Sequence, residues 1–463
     1  MSTINGQLQL LHYGQILAIT SPPISSPPSR QSRAPDRSTA AQSSPPARRR
    51  RPCRPSSGLQ HRRPARPPSD FPLDTRGEVA EFAAEAYRNL DRIGRGLRAG
   101  SFKFPPALGI AVKKKTGAKK RPIVKSPIPS RIVQRAILDV VQQLPGIEAK
   151  LSRRFNFGGV EGLGVPEAIR EAYKASITLP YYIRSDIKSF FDSIPRDLAL
   201  KKITQVTNEP QFDQLLKEAT DTELANLVQL GRDGDLFPLQ EIGVAQGSCL
   251  SPLLCNLLLE DFDSLMNAKG IICIRYIDDF ILFAKNEKYA FKALGAGRAN
   301  LKRMNLDLYD PLEAHDKAEH GYCRNGFEFL GCEVRPGQIR PSAKSRKRLI
   351  AKLSDVFADS VGMVKRPKQA ALERKAYTDT LNAAGNIIRG WGNTYSFCTD
   401  DRLMADVDRH IDTLLTAYNE RFRRAISRTT SVDKRRLLGL FLVSDCNKDV
   451  GFRELVKLSP QSP

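Results

Sequence analysis

Three acidic residues lie where the sequence otherwise predicts buried strands. Asp186 ends an apolar run that begins at Leu179, and Asp278 and Asp279 form the tip of a predicted hairpin with apolar residues on both sides. Carboxylates that converge at strand ends repel one another, and their pKa values rise. Mg²⁺ relieves this repulsion because it takes oxygen ligands and also holds substrate phosphates. Two such ions, about 3.5–4 Å apart, can activate a hydroxyl group and stabilise a leaving pyrophosphate. Taken alone, the Asp278-Asp279 pair fits a plain polar turn equally well.

Hydrophobic periodicity predicts the elements that would bring these carboxylates together. A strand at 179–186 and two strands at 271–276 and 280–284, joined through the acidic tip, would carry them. Helices are predicted at 78–97, 131–144, 166–173, 252–262, 342–368 and 370–388. Strand pairs are predicted at 109–127, with a basic tip, and at 326–334.

Three segments around these residues resemble the catalytic motifs of the reverse transcriptase family. They are Asp186-Ile187-Lys188-Ser189-Phe190-Phe191-Asp192, Gln246-Gly247-Ser248-Cys249-Leu250-Ser251-Pro252-Leu253-Leu254, and Tyr276-Ile277-Asp278-Asp279. They follow in the family's order, with 60 residues from Asp186 to Gln246 and 32 from Gln246 to Asp278. The resemblance covers about residues 85–400 and is to bacterial enzymes of the group II intron, retron and phage-defence types. Ala245 stands where the family usually has Pro, and Ile277 where these bacterial groups most often have Ala.

The resemblance implies an α+β fold of the right-hand polymerase type, with an antiparallel palm sheet covered by helices on one side. It divides the chain into fingers at 71–178, palm at 179–336, a basic helical thumb at 337–400 and a short helical C-terminal extension at 401–463. The implied reaction is RNA-directed DNA synthesis, in which deoxynucleoside triphosphates extend a DNA or RNA primer on an RNA template. Two Mg²⁺ ions, for which Mn²⁺ can substitute, would serve as cofactors. The resemblance also leaves open a cognate structured noncoding RNA as a further partner.

The matched motifs also imply residue roles. Asp186 and Asp278 correspond to the metal-bridging carboxylates, and Asp279 to a third acid nearer the primer end. Phe191 matches the bulky residue that packs against the incoming sugar and excludes a 2′-hydroxyl, although a plain core aromatic is the alternative. The other assignments are Lys114 and Arg121 for the triphosphate, Gln246 and Gly247 for nucleotide and template, Lys317 as a candidate general acid, and Phe329, Leu330 and Gly331 as primer grip. For Lys317 a surface lysine, and for Lys113, Lys114 and Lys115 a solvated hairpin tip, are the alternatives.

Charge and composition agree with a nucleic-acid partner. The net charge of +23 favours a polyanion, since neutralised phosphates release counterions. Residues 1–70 hold eleven Arg and two Asp, or +9, and their Pro, Ser and Arg content predicts a disordered tail. The tail fits an RNA-binding segment, an early start codon or, least well, a transit peptide. The eight Cys lack zinc-site spacing and suit the cytoplasm. No apolar run predicts a membrane span.

Two other functions stay open at this stage. One is an intron-type RNA-binding maturase that assists splicing, for which the basic segment from Lys344 to Lys368 would serve. The other is an RNA-directed RNA polymerase, which shares the palm. Phe191 argues against this second alternative, because an RNA polymerase needs room for the 2′-hydroxyl.

Overall fold

The structure is a computed structural model that describes residues 75–113, 120–151, 154–268, 270–314, 317–440 and 442–443. The predicted tail at 1–70, Lys114 and the end of the predicted C-terminal extension from 444 onward lie outside the described residues. The described strands are β1 Leu108–Lys113, β2 Lys120–Lys125, β3 Tyr181–Asp186, β4 Ile271–Tyr276, β5 Asp279–Ala284, β6 Glu319–Tyr322, β7 Phe327–Phe329, β8 Cys332–Arg335 and β9 Gln338–Pro341.

Helices make up most of the remaining described chain. The helices before the predicted thumb are α1 Thr75–Ala84, α2 Ala86–Arg98, α3 Ile128–Gln142, α4 Pro145–Leu151, α5 Val165–Thr178, α6 Phe190–Ser193, α7 Arg196–Thr207, α8 Pro210–Thr220, α9 Leu227–Leu230, α10 Ser251–Leu258, α11 Glu260–Met266 and α12 Glu287–Lys302. Those that follow are α13 Ala343–Gly362, α14 Pro367–Leu372, α15 Tyr377–Thr394, α16 Asp401–Ile426 and α17 Ser431–Leu438. Within the described ranges, no helix is long and apolar enough to cross a membrane.

The predicted palm is built on a four-stranded antiparallel sheet with strand order β4-β5-β3-β6. Both faces of this sheet are buried. Ile183 and Leu282 point into a core formed with α10, α11 and α12, while Tyr182 and Phe283 point into a second core formed with α5 and the β7–β9 sheet. The expectation of helices on one side only is therefore wrong. Successive side chains of these apolar strands point to opposite faces, so each face needs cover.

Three long helices, α13, α15 and α16, share one hydrophobic core in the predicted thumb. Phe357 of α13 stacks on Tyr418 of α16, with ring centroids 4.6 Å apart. The Tyr418 hydroxyl also lies 3.0 Å from Ser360 Oγ. The predicted boundary at residue 400 thus falls between two helices that pack in the same core.

Several helix ends differ from those that periodicity predicts. The segment predicted as one helix at 78–97 contains two helices that meet at Glu85. The basic helix predicted to reach Lys368 ends at Gly362, and a short 3₁₀ turn precedes α14. Pro367 explains that break, because proline cannot donate the backbone hydrogen bond that a continuing helix requires.

Candidate active site

The sheet brings the three motif carboxylates to one end of β3 and β5. Asp186 ends β3 and lies directly opposite Asp279, the first residue of β5. Asp278 occupies the turn between β4 and β5, and its backbone oxygen accepts a hydrogen bond from the Ile187 N–H at 3.3 Å. The carboxylates of Asp186 and Asp278 are near enough for their charges to interact. Strand pairing alone therefore gathers three acids from segments 92 residues apart, counted from Asp186 to Asp278.

This clustering perturbs the titration of two of the acids. Burial, followed by the negative charges of Asp186 and Asp279, raises the pKa of Asp278 to about 7. Burial and the charge of Asp186 raise the pKa of Asp279 to about 6, partly opposed by the cations of Arg184 and Lys317. Asp278 and Asp279 therefore ionise less readily than free carboxyl groups, and a bound cation would compensate the neighbouring negative charges.

The residues present fit a divalent cation. Asp186 Oδ1 is buried, and no hydrogen-bond donor of the described chain reaches it. A buried acceptor left without a donor is costly, and a metal ion would satisfy it. In the described ranges, no three or more His, Cys, Asp or Glu side chains form a complete metal cage. Mg²⁺ does not need such a group, since it is usually held by one or two carboxylates together with water and substrate phosphates.

Lys317 lies beside this acidic cluster. Its Nζ is 3.4 Å from Asp186 Oδ2, and its side chain is 55% exposed. The same amine lies 5.8 Å from the centroid of the Tyr309 ring, as does the amine of Lys188. Lys317 is therefore an exposed lysine that pairs with Asp186.

Sequence reasoning missed an ion-pair network next to Asp186. Lys188 Nζ lies 3.1 Å from Asp307 Oδ2, and Arg298 Nε lies 2.8 Å from Asp307 Oδ1. Hydrogen bonds from Arg298 and Lys188 hold the pKa of Asp307 well below its usual range. The backbone of this segment also donates from Tyr309 N–H to the Asp186 carbonyl at 3.1 Å. The segment therefore supports the strand end that carries Asp186. Its sequence signal, an acid between Leu306 and Leu308, is weak.

The second motif packs between the first motif and the β1–β2 hairpin. Gln246 Nε2 donates to Asp192 Oδ1 at 3.1 Å, and the Gln246 carbonyl accepts from Val124 N–H at 2.9 Å. Gly247 has a φ of +127°, and a Cβ there would lie 2.5 Å from the Val124 carbonyl oxygen. Any larger residue would push the hairpin away, so glycine is required here.

Phe190 and Phe191 have different environments. Phe190 is buried in the main core, whereas Phe191 is half-buried at the edge of that core. The Phe191 carbonyl accepts from Val244 N–H at 2.8 Å, which ties the first motif to the segment before Gln246. Phe191 therefore keeps part of its surface exposed, whereas Phe190 does not.

The remaining predicted residues lie on two hairpins. Arg121 on β2 is exposed and forms no ion pair with another described residue, and Lys113 at the end of β1 is also exposed. Phe329 is buried at the end of β7, while Leu330 and Gly331 form the turn to β8 with φ of +46° and +78°. The Gly331 carbonyl accepts from the N–H of Ser342, directly before α13. The predicted primer grip thus joins the palm to the predicted thumb.

An antiparallel sheet with acids at its strand ends, a basic hairpin and a helical thumb define a template-directed polymerase of the right-hand class. Residues 112–334 match the family described as "Reverse transcriptase (RNA-dependent DNA polymerase)". Residues 112–334 are thus a reverse transcriptase domain, of a family whose members are nucleotidyltransferases.

The chain is similar to two further proteins and to one solved structure. The chain is 28% identical over 324 residues to an "Uncharacterized 91 kDa protein in cob intron" of Schizosaccharomyces pombe, with 66% of this chain and 37% of that protein covered. It is 26% identical to Protein YkfC of Escherichia coli, with 51% and 68% covered. A solved apo telomerase from Candida tropicalis, truncated from its C-terminal domain, has 14% identity and a TM-score of 0.35, with 52% and 55% covered. The chain thus spans little more than a third of the S. pombe protein.

The raised pKa values predict how stability depends on pH in the metal-free protein. A folded pKa of about 7 for Asp278, against an ordinary value near 4 in the unfolded chain, means that the folded state binds more protons between these values. The stability that Asp278 contributes through its bound proton is fully present below about pH 4 and is lost as pH rises through about 7. Asp278→Asn lacks this titration. Its free energy of unfolding should therefore exceed that of the wild type by on the order of 1–3 kcal/mol at pH 8.

Denaturant unfolding of both proteins in EDTA, at several pH values, measures this difference. Adding Mg²⁺ at pH 8 should stabilise the wild type more than the variant. Parallel pH profiles for the two proteins would contradict the environment assigned to Asp278.

Proposed function

We propose that this protein is an RNA-directed DNA polymerase that adds deoxynucleotides to a primer end on an RNA template, using two Mg²⁺ ions. The observation that carries the proposal is that Asp186 and Asp278 converge in a domain of the reverse transcriptase family. The buried Oδ1 of Asp186 has no hydrogen-bond donor in the described chain, which leaves it free for a metal ion. Phosphoryl transfer of this kind needs positioning and charge neutralisation more than covalent chemistry. The acids supply sites for the metals that would activate the primer 3′-hydroxyl and stabilise the leaving pyrophosphate.

The chain's own residues have separate tasks in this proposal. Asp186 and Asp278 would hold the metals, and Asp279 would stand nearest the primer end. Lys317, 3.4 Å from Asp186, supplies the proton to the pyrophosphate. Arg121 holds the triphosphate, because a fixed cation stabilises charge that shifts during transfer. Gln246 and Gly247 line the nucleotide and template, and the turn at Leu330 and Gly331 steadies the primer.

The proposal is tested by extending one DNA primer on an RNA template and on a DNA template of the same sequence. Deoxynucleotide addition that follows the RNA sequence and requires Mg²⁺ is the expected result. Products whose sequence ignores the template would contradict the proposal. Faster addition of ribonucleotides than of deoxynucleotides would favour an RNA polymerase instead.

A second candidate function is assistance to intron splicing, favoured by the relative named for its place in a cob intron. The basic face of α13, with Lys344, Lys347, Arg348 and Lys352, would bind RNA in either role. A splicing assay with an intron adjoining the gene separates the two functions. Stimulation of splicing that survives Asp278→Asn would assign splicing to this protein independently of polymerisation.

Arg121 and Lys113 give a paired test of the triphosphate site. Arg121→Ala should raise the KM for deoxynucleotides and lower kcat, together about 10- to 100-fold in kcat/KM, since a charge-assisted contact to phosphate contributes about 1.5–3 kcal/mol. Lys113→Ala, at the exposed end of β1, should change kcat/KM far less. Steady-state kinetics with one deoxynucleotide measures both. Equal, negligible effects would mean that the β1–β2 hairpin does not contact the triphosphate.

A further inference from the structure

A buried polar network lies directly beneath the turn that carries Asp278. At its centre is Arg275, which is fully buried on β4. Its Nε and Nη2 donate to the two carboxylate oxygens of Asp263, each at 2.6 Å. Its Nη1 donates to Asn256 Oδ1 at 3.0 Å and to the backbone carbonyl of Ile277 at 2.9 Å. One guanidinium thus joins helix α11, helix α10 and the residue before Asp278.

The turn needs such support because its backbone is strained. Ile277 has a φ of +60°, a conformation that β-branched residues rarely adopt. Backbone of this kind persists only where surrounding contacts determine it, and such positions are concentrated at functional sites. The Nη1 bond from Arg275 holds the Ile277 carbonyl, and the Ile187 N–H holds the carbonyl of Asp278. Together these two bonds fix the peptide groups on both sides of the Asp278 Cα, which carries the carboxylate side chain.

A second contact reaches the same turn through Asn256. Asn256 Nδ2 donates to the carbonyl of Gly158 at 2.8 Å. A Cβ at Gly158 would lie 2.4 Å from the Ile277 nitrogen and 2.8 Å from its Cγ1, so the Gly158 backbone packs directly against Ile277. The loop before Gly158 is also bound to β4, because the backbone N–H of Arg275 donates to the Phe155 carbonyl at 2.9 Å. Asn256 therefore holds this loop against Ile277, and Arg275 holds the Ile277 carbonyl.

We infer that Arg275, Asp263 and Asn256 are positioning residues for metal-dependent nucleotide addition, acting through Ile277 on the Asp278 carboxylate. This inference rests on the proposed function. If the ion pair were purely structural, replacing it by well-packed apolar residues would leave activity unchanged, because such residues often replace buried charge pairs without loss of stability. A positioning role predicts instead that activity falls whenever the bond to Ile277 is lost, even in a stable protein. Partners that orient metal ligands typically matter about 10- to 100-fold in activity or metal affinity.

Two variants remove the bond to Ile277 in different ways. Arg275→Lys keeps a cation beside Asp263 but lacks the fork that reaches both Asn256 and the Ile277 carbonyl. The double variant Arg275→Met with Asp263→Leu removes both charges together and leaves no unpaired buried ion. For each, the measurements are the melting temperature, primer–template affinity, KM and kcat for one deoxynucleotide, and the Mg²⁺ concentration at half-maximal rate.

A matched pair of asparagines provides a variant without charge changes. Asn256→Ala removes the bonds to Gly158 and Arg275. Asn267→Ala removes bonds of the same kind in the same domain, to the carbonyls of Asp263 and Cys273 and from the Cys273 N–H, but none to the turn. If the Arg275 variants do not fold, this pair decides the question, because both replace a neutral side chain by alanine.

We expect Arg275→Lys and the double variant to lower kcat by about 10- to 100-fold and to raise the half-maximal Mg²⁺ concentration, with primer–template affinity unchanged. Asn256→Ala should show the same pattern to a smaller degree, and Asn267→Ala should keep the wild-type kcat and Mg²⁺ dependence. Folded variants with wild-type kcat and Mg²⁺ dependence, or equal losses in Asn256→Ala and Asn267→Ala, would overturn the inference. Absence of extension by the wild type would contradict the proposed function instead.

Discussion

Replacing Asp278 by Asn should abolish primer extension while the protein remains folded and binds primer–template. An amide offers one neutral oxygen where a carboxylate offers two that share a negative charge, so Asn would not neutralise the charge of a bound Mg²⁺. Metal ions contribute several kcal/mol of charge stabilisation in the transition state. At about 1.36 kcal/mol per tenfold, the loss should be at least about 10³-fold in kcat. Gel-based extension on an RNA template measures it over the required range.

The surrounding structure makes this a clean substitution. Asp278 has the same size as Asn, and the pKa of Asp278 is already raised to about 7 by burial and neighbouring acids, so the metal-free fold tolerates a neutral group there. Asp261→Asn, on an exposed position of α11, is the matched control and should extend primers like the wild type. Extension by Asp278→Asn at a rate near that of Asp261→Asn would remove Asp278 from the reaction.

Replacing Phe191 by Ala or Val should admit ribonucleotides while much of the deoxynucleotide activity remains. A ribose 2′-oxygen in a close-packed pocket forces overpacking that costs about 1–3 kcal/mol. Stripping water from that hydroxyl without giving it a partner costs roughly another 1–3 kcal/mol. The sum corresponds to discrimination of roughly 30- to 10⁴-fold in the wild type. Single-nucleotide insertion with matched deoxy- and ribonucleotides measures this ratio for each protein.

Phe190 is the control for Phe191, because the two rings are adjacent but differently buried. Phe190 is 2% exposed in the main core, and its truncation to Ala should cost about 3–5 kcal/mol of stability. Its sugar selectivity should stay that of the wild type. Equal use of both sugars by the wild type would refute the deoxynucleotide assignment. Relaxed selectivity in Phe190→Ala alone would move the sugar contact by one residue.

The strands that carry the acids could be predicted because their signals are local. Apolar runs that end in Asp186 and restart after Asp279 give the positions of β3, β4 and β5 within two residues. The resemblance of the motifs implies that these strand ends meet, and the register of Asp186 against Asp279 agrees. On its own the segment Tyr276–Asp279 fits a polar turn equally well, and only the neighbouring motifs favour a catalytic role.

The supports of the site could not be predicted, because they depend on contacts distant in the chain. Asp307 meets Lys188 across 119 positions, and Asn256 meets Gly158 across 98. A buried arginine such as Arg275 has no periodic signature, since its burial depends on finding Asp263 in the folded state. Helix ends were also misplaced, as at Glu85, because local propensity seldom fixes a boundary within a few residues.

The number of metal ions bound in the ternary complex decides whether Asp186 and Asp278 form the metal site. Mn²⁺, which electron paramagnetic resonance can count, would replace Mg²⁺ in complexes with primer, RNA template and a non-hydrolysable deoxynucleotide. We expect two ions bound per wild-type protein, and loss of bound metal in Asp186→Asn and Asp278→Asn at unchanged primer–template affinity. Two tightly bound ions in both variants would contradict the assignment of these carboxylates as the metal site.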